Sequence, residues 1–333
     1  MDNRCLIIAE AGVNHNGDVN LAYKLCKVAK EAGADVVKFQ TWKTENIITQ
    51  NVAQAGYQKD NTKKLESQFD MLKKLELTYD EFRKLKEYCD LIGITFASTA
   101  DDPESLDFLI ELGIPFIKIG SGEIGNVSYL RYMGSKKLPV ILSTGMSSLA
   151  DIDISVQALK EGGATDITLL HCTTSYPCAF GNVNLNAMNT IKEAFKFPVG
   201  YSDHTLGNTV SIAAVAMGAC VIEKHFTLDK NMYGPDHLAS SSPEEFASLV
   251  KEIRNIEVSM GNGKKEATNV EKEISKVVLK RIVAKHRINA GQLITEDDIC
   301  VKRNDSGLPC NKWDVVIGTK AGKDYDVDEG IEL

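Results

Sequence analysis

The chain has 333 residues, with 43% hydrophobic and 25% charged residues and a formal net charge of −8. That composition suits a globular protein with a large core. The acidic balance argues against nucleic acid or an anionic membrane as the main partner, while leaving room for a small anionic substrate. The start, MDNRCLIIAEAG, lacks a signal-peptide apolar region and no run reaches membrane-spanning length, so a cytoplasmic location is expected. Eight cysteines without C-x-x-C spacing read as free thiols in a reducing compartment.

Through the first two-thirds of the chain, short apolar runs alternate with amphipathic stretches. The runs at 5–9 (CLIIA), 36–39 (VVKF), 94–97 (ITFA), 115–119 (PFIKI), 140–142 (VIL), 167–170 (ITLL), 199–201 (VGY) and 221–223 (VIE) read as strands buried on both faces. Between them, 21–32 places Leu21, Leu25, Val28 and Ala32 on one helical face. Asp80 is placed to cap a helix through Ile92, with Phe82, Leu85 and Cys89 inward. Further helices are predicted at 103–112, 127–135, 149–161, 185–194, 208–217 and 243–259, several ending near a glycine. Eight rounds of strand and helix predict an α/β fold, a (β/α)8 TIM barrel, in preference to an open doubly wound sheet.

The segment 41–78 is a long excursion between the second and third strands, with the polar stretch GYQKDNTKKLESQFD. It reads as a lid or substrate loop. The barrel domain is expected to span 1–264 and a charged linker 265–280. From 281 to 333 the pattern changes to short strands and turns, a small β-rich domain.

Barrel chemistry gathers at the C-terminal ends of the strands. In chain order those ends supply Glu10; Lys38 and Gln40; Ser98 and Thr99; Lys118, Ser121 and Glu123; Ser143; His171, Thr173, Thr174 and Tyr176; Ser202, Asp203 and His204; and Glu223, Lys224 and His225. Lysines aimed into a barrel need a balancing anion. With the serines and the Gly-Ser-Gly and Ser-Thr-Gly turns they suggest a phosphorylated substrate. His204 and His225 end adjacent strands and could share a divalent metal. Glu10, Glu123 and Asp236 could each be an acid, a base or a sugar ligand. His15, His171, His237 and His286 are less well placed and read as structural residues or as supports behind the site.

The segments IIAEAGVNHNGD, DVVKFQTWK, KIGSGE, ILSTGM, LLHCTTSYP, GYSDHT, IEKHFTLD and GPDHLASSSPEEF resemble the signature segments of the sialic acid synthase family. The tail IVAKHRINAGQLITEDDICVKRNDSGLP resembles that family's C-terminal antifreeze-like (SAF) domain. The resemblance covers nearly the whole chain. It implies a transferase that condenses phosphoenolpyruvate with an N-acylated amino sugar, releasing phosphate by C–O cleavage. The main expectation is an N-acetylneuraminate synthase acting on N-acetylmannosamine. The alternative is an N,N'-diacetyllegionaminate synthase acting on 2,4-diacetamido-2,4,6-trideoxymannose.

The same resemblance implies roles. Lys38, Ser98 or Thr99, Lys118, Ser121, Ser143 and Ser202 would hold phosphoenolpyruvate. His204 and His225 would bind Mn²⁺, or Mg²⁺ or Co²⁺. Gln40, Glu123, Tyr176 and Asp236 would contact the open-chain sugar, and Glu10 would be a catalytic carboxylate, with Glu123 as the other candidate. The protein would be a domain-swapped homodimer in which the SAF domain of one chain caps the barrel of the other and Arg303 reaches the N-acyl group. Two departures stand out. The loop after Arg303 is Asn304-Asp305-Ser306-Gly307 where the family often has P-G-x-G. An asparagine common after the sixth strand is replaced within Cys172-Thr173-Thr174-Ser175-Tyr176, so Thr173 or Thr174 would take its contact. Rival readings are a Schiff-base aldolase using Lys38 or Lys118, and a carbohydrate-binding tail on an inert barrel.

Overall fold

The computed structural model describes residues 4–53 and 67–333. It divides at Gly261 into two compact units, Met1–Gly261 and Asn262–Leu333. In the first, β1 (Leu6–Gly12), β2 (Val36–Thr41), β3 (Thr95–Ala100), β4 (Ile117–Ile119), β5 (Val140–Ser143), β6 (Ile167–Cys172), β7 (Val199–Asp203) and β8 (Val221–His225) form a closed barrel in that order. Every neighbouring pair is parallel, and β1 closes on β8 from Leu6 opposite Val221 to Glu10 opposite His225. The barrel expected from the alternation is therefore formed.

Most strands run further than their apolar runs: β1 reaches Gly12, β3 Ala100, β6 Cys172 and β8 His225. The apolar reading stops where the inward positions become polar, although the backbone ladder continues. Helices at Pro103–Leu112, Val127–Ser135 and Pro243–Ser259 lie where they are predicted. The helix Tyr79–Ile92 is capped two residues earlier than expected. Thr78 forms a reciprocal capping box with Glu81, and Asp80 falls in the first turn.

Alternation along each strand separates two cores. Outward residues such as Ile7, Val37, Phe39, Phe96, Leu142 and Tyr201 pack under the helices in one large cluster. Inward residues Ile8, Val36, Ala97, Phe116, Ile141, Leu170 and Val221 meet inside the barrel and plug it. Part of the 41–78 excursion is also seated. The helix Gln68–Leu75 buries Met71 and Leu75 against Val13 and Trp42. Residues 54–66 of that excursion lie outside the described residues.

The second unit has its own core of Ile282, Ala284, Ile288, Ile294, Ile299, Val316, Ala321, Tyr325 and Ile331. Its regular sheet is an antiparallel hairpin of β9 (Lys280–Ala284) and β10 (Ile299–Arg303). Isolated bridges such as Val283 to Gly330 and Ile288 to Tyr325 tie the rest together. The helix Asn269–Val278 belongs to this unit and buries none of its residues. Among the described residues, no helix is long and apolar enough to cross a membrane.

Candidate active site

Two residues beyond the apolar plug, the inward positions carry charge. Glu10, Lys38, Thr99, Lys118, Ser143, Ser202, Glu223 and His225 all bound one cavity of about 180 Å³ at the C-terminal ends of the strands. Gln40, Ser121, Thr174, Tyr176 and His204 complete its expected lining. One pocket therefore gathers residues from β1 to β8, and strand periodicity is the cause: Ile8 leads to Glu10, Val36 to Lys38, Val221 to Glu223 and then His225.

The centre is a buried quartet. Lys38 Nζ lies 2.6 Å from Glu10 Oε2 and 3.7 Å from Glu223 Oε2, while Lys118 Nζ lies 3.4 Å from Glu223 Oε1. Lys38 also donates to Thr99 Oγ1 (3.1 Å), and Lys118 to Ser143 Oγ (2.7 Å). Gln40 Nε2 donates to Glu10 (3.3 Å) and Ser202 Oγ to Glu223 (3.1 Å). Burial disfavours the Glu223 anion, yet Lys118 and Lys38 outweigh it and hold the carboxyl at about 2. For Glu10, burial wins over the pull of Lys38 and pushes the carboxyl up to about 7. Burial also lowers Lys118, against the attraction of Glu223. Two ammonium groups and two carboxylates at 1–5% exposure form a formally neutral cradle.

His204 and His225 stand together on the β7 and β8 side, with ring centroids 5.6 Å apart. Tyr176 packs against both, at 4.2 Å from His204 and 5.7 Å from His225. His204 Nδ1 donates to the Thr173 carbonyl (2.8 Å), which leaves Nε2 as the acceptor nitrogen of the neutral ring. His225 Nδ1 is buried without a hydrogen-bond partner, and burial with His204 beside it pushes the ring down to about 3. Burial disfavours a charged His204, yet Cys172, the Thr173 carbonyl and Glu223 outweigh it and raise the ring above its ordinary value, so sharing a metal ion with His225 would require His204 to give up a proton. No group of three or more His, Cys, Asp or Glu among the described residues could hold one, so other ligands would come from water or substrate.

Behind the pair runs a second buried network. Lys224 Nζ bonds Asp203 Oδ2 (2.8 Å) and the Thr205 carbonyl (2.7 Å), and Asp203 also accepts from Thr205 and Ser211. These residues face the helices and brace the strand ends that carry the imidazoles. At the end of β1 the register with β2 shifts between Glu10 and Gly12. Gly12 adopts φ +50°, and a Cβ there would come within 3.4 Å of Glu10 Oε1 and 3.5 Å of His225. At Gly145 the constraint is space, since a Cβ would meet Thr174 Oγ1 at 2.2 Å. Its N–H, expected to be open to phosphate, donates instead to Ser121 Oγ (2.9 Å).

Four expected residues are not among those bounding the cavity. Ser98 has the wrong parity for the interior and hydrogen-bonds Thr41 on the helix side (2.7 Å). Glu123 sits on a short turn, accepting from Asn126 Nδ2 (2.6 Å), with its pKa raised by burial. Asp236 precedes the turn His237–Ala239, and burial pushes it up to about 6 against the nearby His204. Arg303 ends β10 in the second unit and is exposed. His15 and His237 are fully buried, as their structural reading requires. Two carboxylates of the cavity had no assigned role: Glu223, visible at a strand end, and Asp101, which the apolar run at 94–97 gave no reason to reach.

Comparison with known proteins places this geometry. The chain is 48% identical over 328 residues to an N,N'-diacetyllegionaminic acid synthase of Campylobacter jejuni, covering 98% of each chain. It is 46% identical over 320 residues to the enzyme of the same name from Legionella pneumophila, covering 95% of this chain and 90% of that one. A crystal structure of the N-acetylneuraminic acid synthetase of Leptospira borgpetersenii, in complex with citrate, superposes with a TM-score of 0.72 at 37% identity, covering 82% of this chain and 90% of that one. The NeuB family model matches residues 25–265. With its closed barrel, its lysine–carboxylate cradle and these relatives, the chain belongs to the NeuB family.

Proposed function

We propose that this chain condenses phosphoenolpyruvate with an open-chain N-acylated amino sugar to give a nonulosonate and phosphate. The observation that carries the reading is the joining of a buried two-lysine cradle and a pair of imidazoles in one cavity. For the sugar we favour 2,4-diacetamido-2,4,6-trideoxymannose, giving N,N'-diacetyllegionaminate, over N-acetylmannosamine. The names of the Campylobacter and Legionella relatives support that choice and shift the main expectation from the sequence to its alternative.

Lys38 and Lys118 hold the phosphate and carboxylate of the enol phosphate, with Thr99, Ser121, Ser143 and Ser202 donating hydrogen bonds. Their partners Glu10 and Glu223 keep the ammonium groups charged and aligned until the anion arrives. His204 and His225 are the residues that would hold a divalent ion, Mn²⁺ first and Mg²⁺ or Co²⁺ as alternatives. Such an ion would supply Lewis-acid polarisation of the sugar carbonyl. The enol carbon C3 bonds to the aldehyde carbon, and positive charge develops at C2. Glu10, on the cavity wall, stabilises that charge and takes a proton from the water that adds there, while the aldehyde oxygen, left as an alkoxide by the new bond, takes up a proton to become a hydroxyl. Glu123 lies off the cavity, which makes Glu10 the stronger candidate. The C2–O bond then breaks, phosphate leaves, and a 2-keto acid remains to cyclise. Gln40 and Tyr176 orient the sugar.

The exposed Arg303, the β-rich second unit and the uncovered apolar residues Val270, Ile274 and Val277 of the helix Asn269–Val278 support a further part of the proposal. The second unit is an SAF domain, the protein is a homodimer, and Arg303 reaches the N-acyl group in the partner's barrel. Phosphate release with phosphoenolpyruvate and Mn²⁺, measured on both sugars, tests the function. A kcat/KM at least ten-fold higher for the diacetamido sugar is expected, and preference for N-acetylmannosamine would return the assignment to N-acetylneuraminate synthase.

A further inference from the structure

Three carboxylates bound the cavity directly. Glu10 and Glu223 are both engaged by lysine. The third, Asp101, follows β3 and has a different environment. Its backbone N–H donates to the Thr41 carbonyl (3.1 Å), which anchors the chain just past the end of β3. Among the described residues, no donor hydrogen-bonds its carboxylate and no cation lies within ion-pair distance. The two lysines that feel its charge are already committed to Glu10 and Glu223. Burial and the like charge of Glu123 both disfavour its anion. The residue is half-buried on the cavity wall, so its acceptor oxygens are open to hydrogen bonds from whatever enters the cavity.

The topology says which ligand that is. β3 lies four strands from β7 around the closed barrel, so Asp101 faces the imidazole wall from the opposite side. A phosphate or carboxylate would be repelled at this point, so the anion belongs with the lysines below. A neutral, donor-rich molecule fits. We infer that Asp101 is a specificity-determining residue that accepts a hydrogen bond from a hydroxyl or amide N–H of the acceptor sugar. This rests on the two-substrate condensation proposed above. It divides the cavity by charge, with the enol phosphate at the lysines and the polyhydroxylated acylamino chain spanning from Asp101 to the imidazoles.

The test uses Asp101→Ala and Asp101→Asn in the full chain, with phosphate release measured against each substrate and phosphoenolpyruvate binding measured by calorimetry without sugar. Asp101→Ala is expected to lower kcat/KM for the sugar about ten- to a hundred-fold, the range of a lost hydrogen bond to a charged group. Asp101→Asn, which keeps an acceptor oxygen, should lose less. Phosphoenolpyruvate should bind equally well or more tightly, because one negative charge near Lys38 and Lys118 is gone. Unchanged sugar kinetics, or weakened phosphoenolpyruvate binding of similar size, would overturn the inference. A wild-type protein that turns over neither sugar would overturn the condensation reading instead. Sugar binding by calorimetry, wild type against Asp101→Ala, then still decides the role of Asp101.

Discussion

Two layers of side chains share the inside of one barrel, separated by two residues of strand. The lower layer, with Ile8, Val36, Phe116, Ile141 and Leu170, is a dry plug. The upper layer, about 6–7 Å further along the same strands, holds Glu10, Lys38, Lys118, Ser143 and Cys172. The difference teaches how the fold divides its labour. The plug contributes stability by burying apolar area. The mouth gives some of that stability up, placing four ionisable groups where water is scarce and keeping them only because they face one another.

The comparison can be broken by exchanging the two kinds of effect. The largest change is expected from Phe116→Ala in the plug, a loss of about 3–5 kcal/mol in urea unfolding. Activity per folded molecule should stay within about three-fold, because no atom of the mouth is removed; a far larger loss of turnover at preserved stability would erase the division. Asp203→Asn should cost a similar amount, about 3–5 kcal/mol, since it strands the buried Lys224 ammonium. An Asp203→Asn protein that melts like wild type would show that the brace carries no load.

Lys118→Ala is the reverse case. It should lower turnover roughly ten- to a thousand-fold while changing the melting temperature less than Phe116→Ala does. Its failure to alter the KM for phosphoenolpyruvate would place the anion elsewhere.

The smallest effect concerns acid. Burial pushes His15 and His237 down to about 4. Between roughly pH 4 and 6.5 the unfolded chain binds protons at these rings that the folded chain refuses, so their contribution falls as the pH drops through that window. Glu10, Asp101 and Asp236, all raised, act with the opposite sign over part of the same range. The clean observable is therefore a difference. The gap in urea midpoint between wild type and His237→Asn should shrink from pH 7 to pH 5, and a constant gap would remove His237 as a contributor.

The sequence made the barrel legible because each strand is a compact β-branched run and each helix carries a stripe. Pro103, Val127 and Pro243 open helices where their caps and stripes begin. The cavity was legible where polar residues interrupt an apolar run with the right parity, as at Lys38 and Lys118. Ser98 was misplaced because neighbours in sequence point to opposite faces. Counting by two from Ala97 gives Thr99 and then Asp101, and that parity was the available signal for the missed carboxylate. The brace behind the imidazoles was out of reach, since Asp203 and Lys224 meet only once β7 and β8 are side by side.

The most direct test follows one atom. Phosphoenolpyruvate carrying ¹⁸O in the C2–O–P bridge is turned over with the diacetamido sugar and Mn²⁺, and both products are weighed by mass spectrometry. The account predicts label in the phosphate and none in the nonulosonate, because the bond broken is carbon to oxygen. Label retained in the sugar product would contradict it.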